Sequence, residues 1–492
     1  MNTLPELSTV RLSQTTDALN QAALEQLDAL VVVAPKNVTP SKLPDFPHRD
    51  EIGKLRKQMN DGDIILLTTA GEQPIPIVAG FVDPAASPFE RLTLARKLAA
   101  ETLRFSPATV GVHTAPADDA MAEAAIAALA AAAFRLPQFK QKKAAPAKFK
   151  RIKLFHPHKL DLKRTEAAAG GNNLARWLTG LPANHLTPER YRELLQQLAE
   201  QEGWQFEFLD EKALKKRGAG AFLAVAQGSS RRDAGIAHLS YRPSKAGRQT
   251  ALALVGKGIC FDTGGTNLKG AKGMFGMHGD MQGSAVAAGT LLALSRLKVN
   301  FPVDAWLAIA TNDIGPNAYR QNEVVTALNG TTIEIVHTDA EGRMALSDTL
   351  ALASREKPGL LMDYATLTGS CIDALSTRYT GAVTNSDELN EAVITAGRAS
   401  GERVWPFPAD ADFDSALESD VADTKQCTVG SVADQILAAR FLSRFVEKDV
   451  PWVHLDLSAG ESKGGLAHIP TEVTGFGVRF TLEFLQRHAS FS

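Results

Sequence analysis

Two rhythms of apolar and polar positions run through this chain. Continuous apolar runs of strand length occur at 29–34 (ALVVVA), 63–68, 75–82 and 109–113, the pattern of strands covered on both faces. Between them a helical period predicts helices over 50–59, 89–103 and 118–134. Residues 1–150 therefore read as a small N-terminal α/β domain. It shows no catalytic constellation, and His113, ending a predicted strand, reads as a structural histidine.

A second alternation follows. Thr187-Pro188-Glu189 is a helix start, with threonine as N-cap, proline at the first helical position and an acid in the first turn. That helix runs toward Gly203. Strands are then predicted at 205–208, 251–255, 303–310, 332–336, 360–364 and 452–457, with helices at 211–216, 283–297 and 343–354. This order implies a mixed, mostly parallel sheet flanked by helices. Ligands of such sheets sit beyond the carboxyl ends of the strands. The expected fold class is α/β in two domains, the larger spanning 171–492.

The join has a different character. Residues 135–164 hold 11 Lys and Arg against one acid, Asp161, with Pro137, Pro146 and Pro157 interspersed. They read as a solvated interdomain connection, placed at 151–170 with Gly170-Gly171 as a hinge. The alternative function is a nucleic-acid-binding protein, non-catalytic or of dual function, using 135–164 as its basic strip.

Bulk properties narrow the choice. A chain of 492 residues exceeds what one core usually supports. Net charge of −2 gives no general argument for nucleic acid or an anionic membrane. Cys260, Cys371 and Cys427 lie far apart without a CxxC pair, which fits a reducing compartment. The N-terminus MNTLPELSTVRLSQ lacks the order of a secretory signal, and no apolar run is long enough to span a membrane. The expectation is a cytoplasmic chain without membrane association.

Chemistry concentrates at strand ends. The run at 251–255 leads into Lys257 and Asp262, the run at 332–336 into Asp339 and Glu341, and the run at 360–364 into ATLTG (365–369). Asp280 precedes a predicted helix, while Lys269 and Arg343 lie nearby in sequence. So many charges at one sheet edge are costly unless paired or metal-bound. Divalent cations suit this carboxylate set, and two of them can share carboxylates, acidify a water and polarise a carbonyl. Next to cations, Lys257 is expected to have a depressed pKa and act as a neutral amine ligand, with Lys269 charged. Gly264-Gly265 and Gly342 permit close backbone approach beside the acids.

These residues carry a resemblance. TDAEGR (338–343), VGKG-x3-D-x6-K-x10-D from Val255 to Asp280, Met274-x2-Met277-x2-Asp280-Met281, Asn312, Tyr319-Arg320, ATLTG and the HLD of 454–456 resemble the leucyl aminopeptidase family of dinuclear-metal exopeptidases, over roughly 170–490. The resemblance implies metal ligands at Lys257, Asp262, Asp280, Asp339 and Glu341, with Asp262 and Glu341 bridging and Asp339 offering its backbone carbonyl as well. It implies catalytic roles for Lys269 and Arg343, the latter holding a bicarbonate-like anion. Leu367 matches a position whose backbone helps hold the tetrahedral intermediate. Met277, Thr366 and Gly369 match the pocket for the first side chain, apolar in keeping with Leu- or Met-like residues. Two cations per subunit (zinc or manganese, with magnesium or cobalt as further candidates), peptides with a free N-terminus, a homohexamer and a macro-like N-terminal fold are further implications.

The sequence departs from the common pattern at His337 and Met344, where Asn and Leu are usual, and at Thr266-Asn267, His278 and Thr311. The GxSxG of 460–464 lacks the helix opening a nucleophile elbow needs. Gly256-Lys257-Gly258 lacks the remaining residues of a phosphate-binding loop.

Overall fold

The computed structural model describes residues 3–37, 43–58, 64–70, 73–141, 148–244, 247, 249–430 and 432–488. Two predicted element ends, Met59 and Asp63, and residues 142–147 of the basic strip lie outside these. The first strands are β1 (Arg11–Thr15), β2 (Ala29–Pro35), β3 (Ile65–Thr68), β4 (Pro76–Val82), β5 (Thr109–Thr114) and β6 (Arg151–Phe155). They form one sheet in the order β1-β6-β5-β2-β4-β3, parallel except where β3 meets β4. The all-apolar runs become its buried centre, β2, β4 and β5. Helices Pro88–Leu103 and Asp119–Ala133 pack beside them; Ser87 and Glu90 close a capping box on the first, and Asp118 caps the second.

The span expected to be a connection is structured. β6 lies within 151–170 and sits between β1 and β5, and the helix Lys163–Thr179 begins in the same span. Composition misled because β6 buries Ile152, Leu154 and Phe155 while its basic residues interleave with them, Arg151 exposed and Lys153 half-buried. Several of the strip's described cations have protein partners: Arg151 Nε donates to Thr109 Oγ1 at 3.0 Å, and Arg164 pairs with Glu483 at 2.5 Å. Gly170-Gly171 is no hinge. Both lie inside the helix Lys163–Thr179, and a Cβ on Gly171 would stand 2.2 Å from the Gly289 carbonyl oxygen. Gly171 and Gly289 let two helix backbones touch.

The remaining strands in chain order are β7 (Gln205–Asp210), β8 (Gly235–Tyr241), β9 (Leu252–Asp262), β10 (Val303–Asn312), β11 (Val324–Thr326) and β12 (Thr332–Glu334). Then come β13 (Leu360–Ala365), β14 (Thr380–Thr384), β15 (Val404–Pro406), β16 (Thr424–Lys425) and β17 (Trp452–Asp456). Eight of them form a sheet ordered β15-β14-β17-β13-β9-β10-β8-β7. The run β17-β13-β9-β10 is parallel, as is β14-β15, and antiparallel pairs β7-β8, β8-β10 and β14-β17 complete a mixed sheet. The predicted strand at 332–336 shrinks to β12 and joins β11 and β16 in a separate small sheet. Asp339 and Glu341 therefore approach from outside the main sheet.

Helix Gln282–Arg296 is buried from Gln282 to Leu294, packed between β9 and the helix Lys163–Thr179. Thr187 caps the helix Pro188–Glu202 as its sequence predicts, and Gly203 ends it in the left-handed region. The first sheet's helices are clasped to this second unit by Glu123, whose carboxylate accepts from Arg479 Nη1 and Nη2 at 2.7 and 2.9 Å and from Thr165 Oγ1 at 2.9 Å. Among the described residues no helix is long and apolar enough to cross a membrane.

Candidate active site

β9 lies at the middle of the eight-stranded sheet and carries Lys257 in its body and Asp262 at its end. A register shift between Ala310 and Asn312 on β10 brings Asn312 opposite Asp262. The Asn312 amide then donates to Asp262 Oδ1 at 2.8 Å and to the Thr338 carbonyl at 3.0 Å, tying two ligand-bearing segments together. Gly264 N–H donates to the same Asp262 oxygen at 2.8 Å. Gly264 and Gly265 have φ of 85° and 64°, a turn that costs glycine little. A side chain at Gly342 would stand 2.7 Å from Lys257 Cε and Nζ, so its absence makes room for the lysine.

Lys257 and Lys269 bind the acids into one cluster. Lys257 Nζ lies 2.8 Å from Asp280 Oδ1, 2.9 Å from Glu341 Oε1 and 2.9 Å from the Thr366 carbonyl. Lys269 Nζ lies 3.0 Å from Asp262 Oδ2 and 2.5 Å from Asp339 Oδ1. Asp280 follows the short turn Met277–Gly279 and accepts from Thr366 Oγ1 at 2.8 Å. Glu341 opens the helix Glu341–Arg355, where the helix dipole favours a carboxylate.

Charge balance shapes the titration. Burial works against every ion here, and the carboxylates then repel one another, so Asp280, Glu341 and Asp339 are pushed upward, Asp339 to about 6. Both lysines move up instead. Burial opposes their charge, but Asp280, Glu341 and Asp262 outweigh it at Lys257, and Asp262, Glu341 and Asp339 at Lys269. The depressed Lys257 pKa is an expectation for the site with cations bound; with the acids alone beside it the shift is upward.

The cluster fits divalent cations. Carboxylate oxygens of Asp262, Asp280 and Glu341 all lie within 4.8 Å of one another. Asp280 Oδ2 and Glu341 Oε2 are buried with no hydrogen-bond partner, which is costly unless an ion takes their lone pairs. Four acids face two ammonium groups, so the site carries excess negative charge, and its oxygens are the donors that hard and borderline cations prefer.

Arg343 is nearly fully buried, its Nη2 donating to Asp434 at 2.7 Å and Nη1 to the Gln426 carbonyl at 3.0 Å. Burial opposes its charge but Asp434 prevails, raising its pKa. Its Nε is buried without a hydrogen-bond partner. The Leu367 N–H donates to Asp456 Oδ1 at 3.0 Å. Asp456 also takes the Thr368 hydroxyl at 2.6 Å, which fixes the 366–369 loop. All these groups open onto a cavity of about 390 Å³ that Met277, Thr366, Leu367 and Gly369 line together with Phe275 and Ile372.

Some supports were not evident from sequence. Asp434 and Gln426 lie more than 80 positions from Arg343 and carry no motif. Thr338 donates to the Gly264 carbonyl at 2.7 Å, and Asn267, one of the departures from the common pattern, accepts from Thr338 N at 2.9 Å. His337 is a half-buried turn residue whose Nδ1 faces the Asp339 amide at 3.3 Å. No helix follows immediately on the GxSxG of 460–464. The three cysteines are free and buried. Burial pushes their thiols up, Cys371 to about 12 and Cys427 to about 11.

An α/β protein with a carboxylate–lysine cluster beyond the carboxyl ends of parallel strands, shaped for divalent cations, is the class that fold and site define. Residues 173–482 match the model of the cytosol aminopeptidase family, catalytic domain. A probable cytosol aminopeptidase of Corynebacterium diphtheriae is 41% identical over 318 residues, 64% of this chain and 63% of that protein, so this match spans less than two thirds of the relative's length. One of Prochlorococcus marinus is 35% identical over 448 residues, covering 88% of this chain and 90% of that one. The bottromycin maturation enzyme BotP in complex with Mn superposes with a TM-score of 0.81 at 29% identity, over 93% of this chain and 98% of that one. The chain belongs to the cytosol aminopeptidase family.

Proposed function

We propose that this chain is a metal-dependent aminopeptidase that removes the N-terminal residue, preferably leucine or another apolar one, from peptides with a free amino group. The observation that carries this reading is the convergence of Lys257, Asp262, Lys269, Asp280, Asp339, Glu341 and Arg343 on one cavity, within the region matching the family. Lys257, Asp262, Asp280, Asp339 and Glu341 would hold two divalent cations, zinc or manganese. Bound there, the cations would polarise the scissile carbonyl and lower the pKa of a water.

The chain's own groups do the rest. Asp280 accepts from the substrate's α-amino group and so selects a free N-terminus. Lys269, charged and half-enclosed, donates to the carbonyl oxygen as negative charge builds on it. Arg343 offers its unpaired Nε–H to a bicarbonate-like anion, while Asp434 and Gln426 hold the guanidinium still. Met277, Thr366 and Gly369 bound the pocket for the departing residue, and the apolar Met277, Phe275 and Ile372 nearby favour Leu-like side chains. A homohexamer working in the cytoplasm completes the proposal.

Paired variants test it. Asp262→Ala should lose bound metal and activity together. Lys269→Ala should keep its metal and lose about 10²–10³-fold in kcat on leucine amide, the usual range for one oxyanion donor. Normal turnover by Lys269→Ala would remove that role. Full activity after exhaustive chelation would remove the metal mechanism.

A further inference from the structure

Beyond the peptidase centre, the first sheet carries a second group of metal-ligating side chains. β6 ends at Phe155 and is followed by His156-Pro157-His158. The neighbouring parallel strand β5 leads into the helix that Asp119 opens. The three side chains thus meet beyond the carboxyl ends of adjacent parallel strands, where open α/β sheets bind ligands.

The hydrogen-bonding leaves one nitrogen unaccounted for. His156 Nδ1 lies 3.1 Å from the His158 carbonyl oxygen. A carbonyl only accepts, so Nδ1 carries the proton, which leaves Nε2 as the natural ligand atom. The His156 side chain is 1% exposed. Its Nε2 is buried with no hydrogen-bond partner, though Asp119 Oδ1 is only 3.3 Å away. The other carboxylate oxygen, Oδ2, lies 3.1 Å from His158 Nε2. The two rings meet edge to face at 87°, centroids 4.5 Å apart, so both Nε2 atoms point at one carboxylate.

The two nitrogen–oxygen separations are close to those of ligands sharing an ion. Donors bound at roughly 2.0–2.2 Å to one cation stand about 3–3.5 Å from each other, and here the three donor atoms lie within 4.8 Å of one another. We propose that His156, His158 and Asp119 form a divalent transition-metal site, for zinc, nickel or copper, that clips the end of β6 to the start of the helix Asp119–Ala133. Two imidazoles and one carboxylate select this class over calcium and magnesium. The proline between the histidines limits the freedom lost on binding. Asp119 and His158 are 62% and 58% exposed, which leaves the remaining coordination positions to water. The positive end of the helix dipole opposes the ion, so affinity rests on the three ligands.

The test uses the full-length protein in equilibrium dialysis against zinc, with elemental analysis per chain and leucine amide hydrolysis measured in parallel. Wild type should bind one equivalent more than His158→Gln and Asp119→Asn, which alter exposed side chains and should hydrolyse substrate normally. Asp262→Ala, aimed at the peptidase centre, should keep this equivalent. A midpoint of thermal unfolding that rises with zinc in Asp262→Ala, and loses that rise when His158→Gln is added, gives a second readout. Equal metal content in wild type, His158→Gln and Asp119→Asn would overturn the site, as would a zinc response unchanged by His158→Gln.

Discussion

The clasp between Glu123 and Arg479 gives the sharpest stability prediction. Burial alone would raise the Glu123 pKa, yet the ion pair with Arg479, its two hydrogen bonds and the Thr165 hydroxyl lower it from 4.5 to about 2. A carboxylate whose folded pKa is depressed stabilises the fold above its unfolded pKa and loses that contribution as pH falls through the folded value. At about 1.4 kcal/mol per pKa unit, this shift corresponds to about 3 kcal/mol at neutral pH and about 1 kcal/mol at pH 3, less whatever partial exposure of the pair screens. Glu123→Gln removes the titration and leaves Arg479 without its counter-ion. Urea unfolding of both proteins from pH 7 to pH 3 should show the variant less stable by several kcal/mol at pH 7, with the gap closing below about pH 4.5. Parallel pH profiles would refute the idea that this carboxylate carries the clasp.

Three further outcomes follow from the same geometry. Gly171→Val forces a side chain against the Gly289 carbonyl and should cost about 1–3 kcal/mol or more, read as a lower unfolding midpoint. Asp456→Asn weakens the anchor of the Leu367 and Thr368 amides, so kcat on leucine amide should fall by about tenfold with metal content intact; an unchanged kcat would free that loop from any positioning role. Arg343→Lys cannot reproduce both guanidinium contacts to Asp434 and Gln426, and should lower kcat more than it raises KM.

The sequence disclosed some parts of this molecule and hid others, for physical reasons. Strands covered on both faces, β2, β4, β5 and β9, announce themselves as apolar runs, and Thr187-Pro188 marks its helix because capping is local chemistry. β6 hid because Arg151 and Lys153 interleave with its three buried apolar residues, and so short a strand resembles a charged connection. Gly170-Gly171 looked like a hinge because glycine frees a lone backbone, whereas both lie inside a helix and Gly171 serves close packing against Gly289. The acids and lysines of the centre were legible because they crowd into two short segments, 257–280 and 339–341. Asp434 and Gln426 were not, since only the fold brings them to Arg343.

The buried thiols of Cys260, Cys371 and Cys427 have a practical consequence. Their raised pKa values and enclosure deny alkylating reagents a thiolate to attack. A single cysteine introduced on the surface, for example at Val421, which is 69% exposed, would therefore accept one fluorophore per chain without first stripping out the native sulfurs.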